Sequence, residues 1–403
     1  MNPDSTAEPR IHLDAFAREL DLLQARVREE TDREGELRHL RKIEAWGRVA
    51  ALVGYATSWI APNPISVLGI AFARFVRWTA VAHPVCHRGY DRVDAPERRH
   101  GSVFARGWRR VVDWFDWIDP DAWHEEHNIQ HHYRLNEEAD PDLVERNLRW
   151  LRESGMPRWL RVAMVPLFAI SWKYVYYAPS TLEALERAEN RRARKPGEAS
   201  PSVEQALAAR WSSAGVMSFA PKFNRRLWLR CWGPYLAVYF ALIPALAAPL
   251  GWWAVLSVLI NSVLAEFLTN AHAFVTIVPN HAGADLYRFE GRTHGRGEFY
   301  LRQIVGSTNY RTGGDLNDVM HGWLNYQIEH HLFPDMTLRQ YQRIQPEVRA
   351  LCERYGVPYV QESVWTRCAK AVAIIVGDAS MPMWDQSRVV TGDDPGEAVR
   401  AAS

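Results

Sequence analysis

Cysteine is scarce in this 403-residue chain. Its four cysteines (Cys86, Cys231, Cys352, Cys368) lie far apart and never as CxxC. That leaves neither a disulfide framework nor a cysteine zinc site, and favours a reducing compartment. Net charge is also lacking: 48 basic residues face 47 acidic ones, so there is no electrostatic basis for a nucleic-acid partner. The N-terminus has no short apolar run followed by a small-residue cleavage site, and no secretory signal is expected. A zinc-protease HExxH is missing, because in His124-Glu-Glu-His127 the second histidine comes one position early. Mean hydropathy, at -0.29, is too low for a chain made mostly of membrane spans. It fits a few spans carrying a larger polar body.

What the chain does have is apolar material, 47% of its residues, with 18 Trp suited to a core or to a membrane–water boundary. Near the N-terminus Leu13, Phe16, Leu20, Leu23 and Val27 recur at helical spacing, which predicts an amphipathic helix packed on the protein or lying on the membrane. Longer apolar segments then come in two pairs. Val49–Ile60 and Ile65–Ala82 flank Ala61-Pro-Asn-Pro64; Leu227–Ala247 and Trp252–Val278 flank Ala248-Pro-Leu-Gly251. A bilayer core needs about 20 helical residues, which the second pair satisfies better than the first. Arg74 and Arg77 interrupt the first pair; they either snorkel to the surface, which is the preferred reading, or meet a polar part of the substrate. The turns inside both pairs are uncharged, whereas the segments outside them are rich in Arg, so both polar segments are expected on the cytoplasmic side. Arg161–Ala178, broken by Lys173, is expected at the interface. The resulting expectation is an all-α integral membrane protein with four transmembrane helices in two hairpins and a helical cytoplasmic cap. Its divisions are an N-terminal segment 1–45, a membrane domain 46–360, and a C-terminal helix and tail 361–403. Residues 183–205 read as a polar helix and flexible loop, and Asp378 onward as a tail. No internal repeat is present.

The chemistry lies in the histidines. Of 15, seven fall in three groups: His83-Pro-Val-Cys-His87, His127-Asn-Ile-Gln-His131-His132, and Gln327-Ile-Glu-His330-His331. Residues four apart share a helix face, so His83 with His87, and His127 with His131, can each grip one metal. In a doublet the second ring points about 100° away and can serve a neighbouring metal. Zinc rarely needs more than four ligands, so seven histidines point to two metals. Imidazole suits several metals; iron is the one that also activates O2 against a C–H bond. His12, His39, His100, His294 and His321 read as ordinary surface residues.

These groups resemble the histidine boxes of the membrane fatty acid desaturase superfamily: HxxxH, then HxxHH or HxxxHH, then (H/Q)xxHH. The likeness covers roughly residues 45–360 and includes Gly322-Trp-Leu-Asn-Tyr-Gln-Ile-Glu-His-His-Leu-Phe-Pro334. Gln327 resembles the front-end and bacterial acyl-lipid branch. The resemblance implies a di-iron, O2-dependent enzyme at the cytoplasmic membrane face, placed by this reading in a bacterial inner membrane. It implies His83, His87, His127, His131, His132, His330 and His331 as ligands. It also implies a further histidine near the end of the fourth span, with His281 preferred over His272. His124 and Gln327 remain candidates for a ligand or a supporting group. Ligating imidazoles usually donate their other N–H to a carboxylate or carbonyl, and Asp140, Asp142 and Glu329 stand near enough in sequence. Arg225, Arg226 and Arg311 are candidates for a substrate phosphate or carboxylate, or simply positive-inside residues.

Two features depart from the family pattern. Pro84 follows His83 where an acidic residue is common, so the span must end or kink there. No His-Pro-Gly-Gly haem motif is fused to the chain, so electrons must come from a separate carrier, such as a ferredoxin and its reductase. The substrate implied is a lipid or acyl thioester. Hydroxylation, acetylenation or carotenoid-type oxidation on the same site, and a structural metal cluster without catalysis, remain open on sequence alone.

Overall fold

The computed structural model describes residues 10–93, 99–193 and 222–390. The remainder of the 183–205 segment beyond Ala193, and residues 391–403, lie outside it. The described residues are mostly helical. Strand is confined to four two-residue pieces: β1 (Ile11–His12) pairs in parallel with β4 (Val389–Val390), and β2 (Asn309–Tyr310) with β3 (Gln361–Glu362).

Among the described residues, three helices are long and apolar enough to cross a membrane: Pro64–Cys86, Phe223–Leu250 and Trp252–His281. We label the helices α1 (Leu13–Glu29), α2 (Arg33–Ser58), α3 (Pro64–Cys86), α4 (Phe223–Leu250) and α5 (Trp252–His281). α2 is absent from the three because its N-terminal half is charged, although its second half exposes Val49, Leu52 and Val53. The turn from α2 to α3 is set by Asn63, whose side chain accepts from the Ser66 backbone N–H while Pro64 occupies the first turn. Asn261 of α5 clamps the same turn, donating to the carbonyls of Ser58 and Ala61 and accepting from the Asn63 N–H at 3.0 Å. α2 and α3 approach closely because two glycines face each other: a Cβ on Gly69 would stand 2.6 Å from the Ala50 carbonyl oxygen.

Buried charges inside the apolar helices meet opposite charges. Arg74 of α3 donates to Glu266 of α5 at 2.8 Å, and both side chains are only 7% exposed. Tyr235 and Trp117 complete the Glu266 carboxylate. Arg74 therefore does not snorkel as the sequence reading held; its partner, 192 residues away, draws it inward. Arg77 likewise turns to Glu44 at 2.8 Å. Lys173 is buried against Asp116 at 2.8 Å.

The helix carrying the first box does not end at His83. It widens over Arg77–Ala82 into π-type turns and continues through His83–Cys86. Pro84, which has no N–H to give, falls just after the widened stretch, where the regular hydrogen-bond ladder is already interrupted.

α1 buries Leu13, Phe16, Leu20, Leu23 and Val27, and packs against Leu338–Tyr355 and Gly295–Val305, on its own protein. Two other expectations are corrected. His39 is buried, 3.0 Å from Asp315 and edge-on to Trp323. Residues 378–390 return to the body, burying Met381 and Trp384 and forming the β4 pairing. Both depend on long-range partners that no local pattern announces.

Breaking a buried ion pair strands the remaining charge. Arg74→Met should lower stability by about 3–5 kcal/mol, seen as a fall in thermal midpoint in detergent, and adding Glu266→Gln should recover part of that loss. An unchanged midpoint in the single variant would contradict the pairing.

Candidate metal centre

The three boxes come from separate helices and meet in one buried place. The first sits at the end of α3. The second lies on Pro120–Trp123 continuing as the wider turn His124–His131; Asp119 caps its start by accepting from the N–H groups of Asp121 and Ala122. The third lies on Gln327–Leu332. His281 arrives at the end of α5, in a tight turn over Val278–His281. Arg367 fixes the chain just beyond it by donating to the Ala282 carbonyl and to Asp285.

Two sets of nitrogens result. His83, His87, His127 and His330 bring ligand atoms within 4.8 Å of one another; His131, His281 and His331 do the same. In the first set the Nε2 atoms of His83 and His127 are 3.3 Å apart. His132 stands between the sets, its ring 4.7 Å from His87, 4.8 Å from His330 and stacked 4.3 Å from His331.

Several of the nitrogens in this cluster have no protein partner. Nε2 of His87, His330 and His331, Nδ1 of His127 and both nitrogens of His132 are buried and unpaired. Such orphaned polar atoms are costly inside a protein. A divalent cation at each set would satisfy them, so the residues fit a metal. Burial also pushes His87, His127, His132, His330 and His331 well below the usual imidazole range. They are therefore neutral and have lone pairs to give.

The outward nitrogens are held by neighbours. Asp140 receives His131 Nδ1 at 2.9 Å and is itself fixed by the N–H groups of Asn136 and Asp142. Burial would lower the His131 pKa, but Asp140 outweighs it and raises it. His331 Nδ1 meets Gln303 at 3.0 Å, His330 Nδ1 meets the Tyr341 hydroxyl at 3.2 Å, and His281 Nδ1 faces the Gly306 carbonyl at 3.3 Å. Gln327 lies in the same place, its Nε2 3.0 Å from His281 Nε2. Asp142 is 4.0 Å from His131.

Other candidates are placed elsewhere. His272 meets the Met320 carbonyl at 2.6 Å and stacks on Phe75. His124 accepts from Asn128 at 2.9 Å. Neither joins the two sets. Glu329 touches no imidazole: it accepts from Asn309 and Tyr359, and burial pushes its carboxyl up to about 7. Through Asn309, which also receives the Ile328 N–H, it secures the backbone of the third box. Arg226 pairs with Glu189 at 2.6 Å; Arg225 and Arg311 are exposed.

Sequence reasoning missed Glu126, Gln303 and Tyr341. Glu126 is fully buried beside the second box, and burial together with Asp142 and Asp140 holds its carboxyl well above the usual range, as the neutral acid. Its place next to His127 was the available signal; Gln303 and Tyr341 lie on other helices and offered none.

A narrow cavity of about 90 Å³ leads to this cluster. Trp78, Trp172, Tyr177 and Phe274 form aromatic walls, and His83, His127, His131 and His281 form its polar end.

The fatty acid desaturase family model matches residues 57–363, which include all three boxes and His281. The chain belongs to the fatty acid desaturase family. It is thus an oxidoreductase of that class, and the family uses iron. An NADPH-dependent stearoyl-CoA 9-desaturase of Mycobacterium tuberculosis is 25% identical over 369 residues, covering 89% of this desaturase and 78% of the relative. An acyl-lipid (7-3)-desaturase of Diacronema lutheri is 29% identical over 262 residues, 60% of this chain and 50% of the other. An acyl-lipid (9-3)-desaturase of Physcomitrium patens is 34% identical over 124 residues, 31% and 21% of the two chains. No solved structure matches.

Partners that orient a ligating imidazole are worth about 10–100-fold in metal affinity. Asp140→Asn should weaken iron binding by that factor in chelator competition while leaving the thermal midpoint of the metal-free protein nearly unchanged. His272→Gln should leave iron affinity unaltered. Equal losses in the two variants would contradict the assignment of His131 and the exclusion of His272.

Proposed function

We propose that this chain is an O2-dependent di-iron desaturase that places a double bond in a fatty acyl chain at the cytoplasmic face of a membrane. One observation carries the reading: two buried sets of imidazole nitrogens, several of them without a protein partner, lie at the polar end of an aromatic cavity. In this proposal His83, His87, His127 and His330 hold one iron, His131, His281 and His331 hold the other, and His132 serves between them. Two irons there supply O2 activation and hydrogen removal from a saturated carbon.

The protein's own part is positioning. An alkyl chain has no polar handle at the reacting carbon, so its register must come from the shape of the cavity. Trp78 and Trp172 lie within 6.1 Å of each other and, with Phe274, pack into a rigid apolar wall beside the histidines. The indole N–H of Trp172 is satisfied by the Asn270 carbonyl, and that of Trp123 by Tyr177, so the cavity offers few polar groups to hold water. Gln327 faces His281 from the third box and limits the room on that side.

The second half of α2 completes, in this reading, a fourth span and the two-hairpin arrangement. The uncharged turns at 59–63 and 248–251 then lie on the far side, and the boxes on the side that keeps the arginines. Electrons arrive from a separate carrier of ferredoxin type; since the mycobacterial relative is named NADPH-dependent, NADPH through a reductase is the source favoured here.

Expression in a host lacking its own desaturase, followed by mass spectrometry of total acyl chains, tests the function. The expected product has lost two hydrogens at one position, and His330→Ala abolishes it while the protein still inserts in the membrane. A product that gains oxygen instead would replace desaturation by hydroxylation.

A further inference from the structure

One cavity beside the helix of the first box takes no part in the desaturation chemistry. Trp78, Thr79 and His83 of α3 line the acyl cavity, whereas Ala73, Arg74, Arg77 and Val81 of the same helix line a second one of about 180 Å³. Arg48 and Tyr55 of α2, Tyr239 of α4, and Trp114 enclose it.

Two of the residues that line it carry a buried donor without an acceptor. The Arg74 Nε–H is unpaired, although the other arms of that guanidinium reach Glu266 and Tyr55. The Trp114 Nε1–H is also unpaired in a residue only 1% exposed. Donors left unmade in a low-dielectric site are expensive, and two on one cavity point to an acceptor that belongs there.

The charge balance has the same sign. Arg48, Arg77 and Arg99 all converge on the single carboxylate of Glu44. Asp116 is taken by Lys173, and Glu266 by Arg74. Among the described residues that line the space, Arg48, Arg74 and Arg77 face Glu44 and Asp116, the latter already engaged by Lys173. The rest of the lining is apolar (Ile70, Ala73, Val76, Phe115), and Val49, Leu52 and Val53 project outward from neighbouring turns of α2. A group with several acceptor oxygens and a net negative charge, attached to an apolar stem, matches both halves.

We propose that this cavity binds the phosphoryl headgroup of an anionic membrane lipid, at a site separate from the acyl cavity. Arg48 and Arg77 meet the phosphoryl oxygens at the mouth, and Arg74 and Trp114 donate from the wall. Salt-bridge geometry around a phosphoryl group suits guanidinium better than ammonium. The site acts on how α2, α3 and α4 are held together, not on the reacting carbon.

The test uses the full-length protein in a neutral detergent, titrated with phosphatidylglycerol, phosphatidylcholine or inorganic phosphate. Thermal midpoint and lipid retained in native mass spectrometry are read together. Phosphatidylglycerol should raise the midpoint and remain as a one-to-one adduct, with phosphatidylcholine and inorganic phosphate inactive. Arg48→Gln with Arg77→Gln should weaken that binding about tenfold, and the exposed control Arg349→Gln should not. Trp114→Phe removes one donor with little change of shape, and should weaken retention if the double variant folds poorly. A midpoint shift produced equally by inorganic phosphate would overturn the lipid as the source. Undiminished phosphatidylglycerol binding in the variants, or no binding at all, would overturn the site. None of these readouts depends on desaturation.

Discussion

Everything in this protein is arranged around unpaired imidazole nitrogens that are kept away from water. Burying a polar atom without a partner is unfavourable, and here several such atoms are gathered from the three helices that carry the boxes. A cation that fills the arrangement offsets that cost, and a neutral ring is the form that can ligate. The same burial that makes the empty cluster costly thus prepares it for metal. The outward nitrogens, bonded to Asp140, Gln303, Tyr341 and the Gly306 carbonyl, fix which nitrogen each ring turns inward.

The membrane helices serve that geometry through paired charges. Arg74 with Glu266 ties α3 to α5, so the helix that carries the first box is registered against the one that ends in His281. Lys173 with Asp116 anchors the wall of the acyl cavity, and the Lys173 ammonium also lies 4.5 Å from the Trp78 ring centre. Buried ion pairs contribute little net stability when compared with apolar packing, but they penalise any other register. Here register decides whether imidazoles from distant segments meet.

Much of the site was legible in the sequence because its signals are local. Four-residue spacing and the adjacent doublets are visible in His83–His87, His127–His132 and His330–His331, and the apolar hairpins are visible as runs. Of the two histidines weighed at the end of the fourth span, His281 lies with His131 and His331, and His272 turns to a backbone carbonyl. What could not be read depends on partners far along the chain. Arg74 looked like a surface cation because Glu266 is 192 residues away. Glu329 looked like a support for its neighbouring imidazole, yet on its helix turn it points to Asn309 and Tyr359. Helical spacing gives the face of a residue, not what stands opposite.

Iron-edge X-ray absorption on protein purified from membranes, together with iron counting, addresses the central claim most directly. The account predicts two irons per chain in nitrogen-dominated shells, with loss of His281 depleting one of them before the other. A single iron, a sulfur-rich shell, or zinc at both positions would contradict it.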